Sequence, residues 1–170
     1  MSTLFPDENV NAQTENYHQP TDEQLRIMRG GANWFYWIAG LSMVNSLIFA
    51  FGGEWNFIIG LAYTQIIDAF SDVMITEGGP EVLRLLAVGL NVVVFSFFAL
   101  FGYYASRGFK AAFLAGIVIY AIDAMLWIFF DGVLQIGFHI FALIIIVRGY
   151  LVCREINKFT VENPSISPAA

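Results

Sequence analysis

The sequence predicts an all-α polytopic membrane protein, a four-helix transmembrane bundle with an extra amphipathic interfacial helix. Two observations support this prediction. Hydrophobic residues make up 58% of the 170 residues and charged residues only 13%, whereas a soluble domain carries about 25% charged residues. The apolar residues are also concentrated in four stretches of about 20 residues, the length that a helix needs to cross the hydrocarbon core.

The chain divides into a polar N-terminal tail, a membrane domain and a polar C-terminal tail. The first part ends in a short helix, which Thr21 and Gln24 open as a capping box and which Gly30 and Gly31 break or bend. The three parts are residues 1–30, 31–152 and 153–170, and the predicted spans are about residues 32–51, 82–104, 111–130 and 133–152.

The connections between the spans carry recognisable signals. Pro80 fits the first position of the second membrane helix, and Asp131-Gly132 is a tight-turn signal between the last two spans. The connection between the first two spans is longer, and its apolar residues recur at helical spacing over about residues 54–74. This segment is predicted to be an amphipathic helix in the membrane interface, with a re-entrant segment as the alternative.

Two carboxylates of this amphipathic segment, Asp68 and Asp72, are one helical turn apart. A divalent cation could bind between them, but a solvated polar face is the preferred interpretation. Cys153 is the single cysteine, which excludes an intrachain disulfide and a cysteine-rich metal site; it is interpreted as an unmodified thiol.

Basic residues near the span ends predict the orientation, because Lys and Arg accumulate on the cytoplasmic side. The tails and every second connection carry basic residues. On the opposite side of the membrane, Arg84 is the one basic residue and the other charged residues are acidic. Both termini are therefore expected in the cytoplasm. The basic residues on that side are Arg26, Arg29, Arg107, Lys110, Arg148, Arg154 and Lys158.

Two ionisable residues lie inside the predicted spans, where such residues are costly and suggest a function. Asp123 precedes Asp131 by eight residues and His139 follows it by eight. In an antiparallel hairpin that turns at Asp131, equal offsets mean equal depth, about 12 Å from the turn at about 1.5 Å per residue. Asp123 and His139 are therefore expected to be level and able to pair.

Amides of the other two spans fall near the same depth. Asn45 and Asn91 complete a predicted intramembrane polar layer, to which every span contributes one strongly polar side chain, and Gln135 extends the layer towards the outer surface. Such residues commonly join helices through hydrogen bonds, and this structural interpretation is preferred. A proton relay or a buried ligand site is the alternative, because His titrates near neutral pH.

Several classes of function lack their sequence signals. The chain has no Gly-rich phosphate loop, no H-E-x-x-H helix and no G-x-S-x-G elbow, so no catalytic residue is assigned. One His and one Asp leave a metal site short of ligands, and no cofactor is predicted. The sparse Lys and Arg residues exclude a nucleic-acid partner, which leaves the lipid bilayer, a second copy or another membrane protein.

Two runs resemble a family of small four-span bacterial membrane proteins. They extend from Asn33-Trp34-Phe35-Tyr36-Trp37-Ile38-Ala39-Gly40 to Asn45-Ser46, and from Gly137-Phe138-His139 to Arg148-Gly149. The resemblance covers residues 31–151. It implies a location in the bacterial inner membrane and implies no activity.

The sequence favours a small nonenzymatic membrane protein that acts as an accessory, scaffold or interaction subunit. Two alternatives remain, both centred on Asp123 and His139. A proton-linked transporter or channel component would use them as its titrating pair. An intramembrane enzyme would need a site that opens beside them on the outer side. A sealed, fully hydrogen-bonded layer would favour the structural class, and a water-filled crevice would favour the other two.

Overall fold

The computed structural model describes residues 19–51 and 60–162, with side chains as far as residue 158. The regular structure in these ranges is entirely helical, which confirms the all-α part of the predicted class. Residues 1–18 and 163–170, which belong to the two predicted tails, lie outside the described residues. The helices are α1 (Asp22–Ala50), α2 (Ala62–Thr76), α3 (Val82–Ser106), α4 (Lys110–Leu126), a 3₁₀ turn (Trp127–Phe130) that extends α4, and α5 (Val133–Glu162).

Three segments are long and apolar enough to cross a membrane: Val82–Ser106, Lys110–Phe130 and Val133–Lys158, with mean hydropathies of 2.3, 2.2 and 2.1. They correspond to the last three predicted spans, and they indicate a multi-pass membrane protein. α1 is long enough, at about 44 Å for its 29 residues. It does not meet the same apolar criterion because Asn33, Ser42, Asn45 and Ser46 interrupt it.

The distribution of side chains differs from that in a soluble protein, because large apolar side chains cover the surface and several polar side chains are buried with the apolar core. A row of apolar side chains on α3 is more than half exposed: Leu86, Leu90, Val93 and Phe97. The buried residues include many polar ones: Ser42, Asn45, Ser46, Thr64, Asp68, Ser71, Asn91, Asp123 and His139. This arrangement suits a nonaqueous surrounding, in which polar groups must find their partners inside the protein.

α1 packs against α3 and α5, while α4 packs against both α3 and α5, and α2 lies against α1 and α3. The crossing of α1 and α5 is unusually close. A Cβ atom added to Gly31 would lie 2.8 Å from the Cα of Gly149, and one added to Gly149 would lie 2.9 Å from the Cα of Gly31. The two backbones are therefore in direct contact, as small residues permit.

Two helix boundaries differ from the prediction. The capping box of Thr21 and Gln24 is present, but α1 continues through Gly30 and Gly31 without interruption. Contact with α5 explains why a glycine is useful there without ending the helix. At the other terminus, α5 continues to Glu162, ten residues beyond the predicted end of the last span, because no Pro or Gly follows Gly149 before Pro164.

The predicted amphipathic helix is shorter than expected, and its polar face points into the bundle. Helix α2 begins at Ala62, the preceding Gly60 and Leu61 are not helical, and residues 54–59 of the prediction lie outside the described residues. The solvated polar face predicted for Asp68 is wrong, since this side chain is only 5% exposed while Phe70 is 66% exposed. The polar face of α2 points into the bundle, where it contacts hydrogen-bonding groups of α1 and α3.

Candidate functional site

The carboxylate of Asp123 and the imidazole of His139 are in direct contact, as their equal offsets predict. Nε2 of His139 lies 2.9 Å from Oδ2 of Asp123, and both side chains are 0% exposed. The hairpin that aligns them turns at Asp131, which has the left-handed φ of 51°. Asp tolerates this conformation better than most residues because its short side chain can hydrogen-bond locally.

Asp123 also binds the N-terminus of α2. The backbone N–H of Ala62 donates to Oδ2 at 2.9 Å, and that of Tyr63 donates to Oδ1 at 3.0 Å. The side chain of the N-cap residue Leu61 is apolar and cannot accept these N–H groups. The N–H of Leu61 itself donates to Oγ of Ser42 at 2.9 Å. The first free N–H groups of a helix need such acceptors, and here α4 and α1 supply them.

The hydrogen bonds around His139 define where its protons lie. Nδ1 is 2.7 Å from the backbone oxygen of Gln135, and a carbonyl can only accept, so Nδ1 carries a hydrogen. Nε2 then faces a carboxylate oxygen that already accepts the Ala62 N–H. An imidazolium–carboxylate pair satisfies every one of these groups, and the positive end of the α2 dipole favours the charge on Asp123.

An aromatic ring covers one face of the His139 imidazole. The ring of Tyr120 stacks on the imidazole with a centroid distance of 4.5 Å and an interplanar angle of 19°, and Tyr120 is itself buried. Asp123 and His139 are therefore enclosed by α2, α4 and α5.

A separate hydrogen-bonded group joins α1, α2 and α3 around Asp68. Oγ of Ser46 donates to Oδ2 of Asp68 at 2.8 Å, and Nδ2 of Asn91 donates to Oδ1 at 2.7 Å. The same Nδ2 donates its other hydrogen to Oγ of Ser46 at 2.9 Å. We call Ser46, Asp68 and Asn91 the Asp68 cluster. The opposite amide atom, Oδ1 of Asn91, has no partner among the described residues.

The predicted polar layer therefore separates into two groups. Asp123 and His139 form one, to which Gln135 contributes its backbone carbonyl, and Asn91 belongs to the Asp68 cluster. Asn45 is buried and lies against Gly60, where a Cβ atom would collide with the Asn45 amide. Asn45 thus belongs to the α1 surface that receives the start of α2.

The sequence-based prediction missed Asp68, Ser46 and Ser42 as parts of these networks. A signal was present: Thr64, Asp68 and Ser71 recur at intervals of four and three residues, which places them on one helical face. In an otherwise apolar chain a single polar stripe points to the protein interior, because lipid offers no partners for it.

An ion pair joins the last turns of α2 to the first turn of α3, in which a guanidinium nitrogen of Arg84 lies 3.5 Å from Oδ1 of Asp72. Both side chains are partly exposed. Two clefts lie at the opposite, basic end. One of about 250 Å³ is lined in part by Arg26 and Arg148, and one of about 340 Å³ by Arg107 and Lys110. No group of three potential metal ligands occurs among the described residues.

The fold and the two networks define a multi-pass helical membrane protein with two hydrogen-bonded carboxylates in its interior. No protein-family model, curated protein or solved structure matches the chain. A function is therefore inferred from the chemistry of these networks.

Proposed function

We propose that this protein is a nonenzymatic membrane protein of the bacterial inner membrane, an accessory, scaffold or interaction subunit. The observation that supports it is the sealed pair of Asp123 and His139. Both side chains are fully buried, and their hydrogen-bonding groups are engaged with each other, with α2 or with the Gln135 carbonyl. The pair fastens three helices together and leaves no group free for a substrate.

The proposal includes four spans, with α1 as the first and α3, α4 and α5 as the others. The length of α1 and its packing against α3 and α5 support this arrangement. Three of the polar residues that lower its hydropathy, Ser42, Asn45 and Ser46, are buried in the bundle, so they do not oppose insertion. α2 has only 15 residues, about 22 Å, which is too short to cross, and its outward apolar face suits a re-entrant position.

The proposed orientation places both termini in the cytoplasm. Arg26 and Arg148 line one cleft, and Arg107 and Lys110 line another with Asn157 near the end of α5. The beginning of α1, the α3–α4 turn and the end of α5 therefore share one basic end, as the positive-inside rule requires. Labelling of cysteines introduced at Lys158 and Gly78 tests this: Gly78 should react from outside intact cells and Lys158 only after permeabilisation.

The alternative functions are less well supported. A transporter or channel that titrates Asp123 and His139 needs water at the pair, and Tyr120 and α2 cover it. An intramembrane enzyme needs a cleft beside the pair, whereas both side chains of the pair are fully buried and the two clefts described above lie at the basic end. The apolar row on α3 instead offers a surface to lipid, a second copy or a partner helix.

His139→Ala tests the structural role, with Asp131→Asn as a control at an exposed carboxylate. We expect His139→Ala to lower the thermal stability of the detergent-solubilised protein at every pH between about 5 and 8, the range in which His titrates. Proton flux into vesicles that contain the wild type should equal that of empty vesicles. A variant as stable as the wild type, together with measurable wild-type proton flux, would contradict the proposal and favour the transporter.

A further inference from the structure

The two buried carboxylates have opposite electrostatic surroundings. Asp123 accepts two N–H groups at the positive end of the α2 dipole and contacts an imidazole that can be charged. Asp68 lies in the second turn of α2, beyond the first turn in which the dipole acts. Its hydrogen-bond donors are a neutral hydroxyl and a neutral amide.

The described ranges place no cationic side chain within salt-bridge distance of Asp68. A buried carboxylate without a cation is costly, and such a group binds a proton or pairs with a charge. Burial raises the pKa of the Asp68 carboxyl above its ordinary value, and the hydrogen bonds from Ser46 and Asn91 only partly oppose this effect. The carboxyl group therefore has reason to become neutral.

We propose that Ser46, Asp68 and Asn91 form a proton-binding site in which Asp68 alternates between its carboxylate and its neutral acid. The inference is independent of the scaffold function. In the carboxylate form, Asn91 donates to Asp68 through Nδ2. A proton from a hydronium ion forms an O–H bond at Oδ2 of Asp68 and leaves water behind. The new hydroxyl donates to Oγ of Ser46 over the same 2.8 Å, and the Ser46 hydroxyl hydrogen rotates towards its own helix backbone, as serine hydroxyls in helices can do.

The Asn91 amide keeps its orientation in both forms. Its Nδ2 donates to Oδ1 of Asp68 and to Oγ of Ser46, and both oxygens can accept these bonds whether Oδ2 is ionised or protonated. Ser46 donates to Oδ2 of the carboxylate and accepts from Oδ2 of the neutral acid. The cluster can thus accommodate either charge state by the rotation of one hydroxyl hydrogen.

The other charged groups near this site are accounted for. α1 has no ionisable side chain facing it, since Ser42, Asn45 and Ser46 are neutral. On α2 and α3 the neighbouring charges are Asp72 and Arg84, which pair with each other one turn further out. Asp72 follows Asp68 by one helical turn, so the Asp72–Arg84 pair lies between the Asp68 cluster and the connection from α2 to α3.

Two more groups face the start of α2. Asp123 binds its N-terminus and is compensated by His139 of α5, and the phenol of Tyr63 is partly exposed on the same turn. Neither is hydrogen-bonded to Asp68 in the interactions described above. The hydrogen bonds of Asp68 are therefore separate from those of the Asp123–His139 pair.

Infrared difference spectroscopy of the full-length protein in lipid vesicles, titrated with pH, tests this proposal. We expect a protonated-carboxyl C=O band in the wild type that disappears as the pH rises. The band should be absent in Asp68→Asn and retained in Asp72→Asn, which alters the exposed neighbour. Retention of the titrating band in Asp68→Asn, or its absence from the wild type at every pH, would overturn the proposal.

A second variant keeps the test independent of whether Asp68→Asn folds. Ser46→Ala removes a donor to the carboxylate and should move the midpoint of the band to higher pH, by about one pH unit for the loss of one hydrogen bond to a charged group. Ser96→Ala is the matched control, because the Ser96 hydroxyl binds only the carbonyl of Val92 on its own helix. Equal midpoints in the two serine variants would contradict the assignment.

Sodium is the competing ligand and is tested in the same samples. At constant pH, exchange of K⁺ for Na⁺ should leave the wild-type band unchanged. A band that Na⁺ removes would identify a sodium site in place of a proton site and would overturn the proposal.

Discussion

The sharpest consequence of the Asp123 geometry is the expected effect of Asp123→Asn on α2. An asparagine has one accepting oxygen, whereas both oxygens of Asp123 accept backbone N–H groups. If the amide nitrogen faces Tyr63, it meets the Tyr63 N–H; if it faces Ala62, it meets the Ala62 N–H. Either orientation opposes two donors about 3 Å apart, so one N–H of α2 loses its partner.

The magnitude follows from the groups that lose their partners. An unsatisfied buried N–H costs about 1–3 kcal/mol, and loss of the negative charge at a partly buried helix N-terminus costs up to about 2 kcal/mol. The sum, about 1–5 kcal/mol, overlaps the cost of about 3–5 kcal/mol for breaking a buried ion pair by removing one partner. Asp123→Asn should therefore lower the free energy of unfolding by a large part of the stability of a typical domain.

Thermal unfolding in detergent and hydrogen exchange measure this effect at two levels. We expect a lower melting temperature than for Asp131→Asn, which changes an exposed carboxylate at the turn. Exchange should accelerate at Ala62 and Tyr63 more than in the middle of α4. Unchanged protection at these two amides, with a melting temperature equal to that of the control, would refute the capping role of Asp123.

Three further predictions follow from the packing. Gly31→Ala should destabilise the protein by about 1–3 kcal/mol, since its Cβ atom meets the α5 backbone, whereas Gly30→Ala, which meets nothing within 4 Å, should be neutral or stabilising; equal melting temperatures would contradict the close crossing. Raising the pH above about 3.8, the ordinary pKa of an Asp carboxyl, should reduce wild-type stability through Asp68, because its pKa is raised in the folded state, which therefore binds more protons than the unfolded state. Asp68→Asn should lack this contribution in a pH series of unfolding curves. Phe98→Ala should cost about 3–5 kcal/mol at its buried site and Phe70→Ala far less at its 66% exposed one; chemical unfolding compares them, and a reversed order would contradict the outward position of the α2 apolar face.

The sequence anticipated those features that depend on local geometry. The level positions of Asp123 and His139 follow from a short turn and the rise of two helices, and no knowledge of other contacts is needed. The capping box of Thr21 and the apolar spans are local in the same sense. The Asp123–His139 contact, the capping box and three of the four apolar spans are present among the described residues.

The features that the sequence did not predict depend on contacts between distant segments. Buried Asp68 is hydrogen-bonded by Ser46 of α1 and Asn91 of α3, which lie 22 and 23 residues away in the sequence. Gly31 looks like a helix breaker until Gly149 is known to lie against it. The orientation of α2 likewise depends on which side of it other helices occupy, and helical periodicity alone leaves that side undetermined.

The capping of α2 has a consequence for the synthesis of the protein. Asp123, the acceptor for the first N–H groups of α2, emerges from the ribosome about 60 residues after Ala62, and its partner His139 emerges later still. Until then, the N-terminus of α2 has no acceptor from α4. Insertion of the α4–α5 hairpin supplies that acceptor. A chain that stops before the hairpin should therefore be degraded by membrane proteases, and the complete chain should resist them.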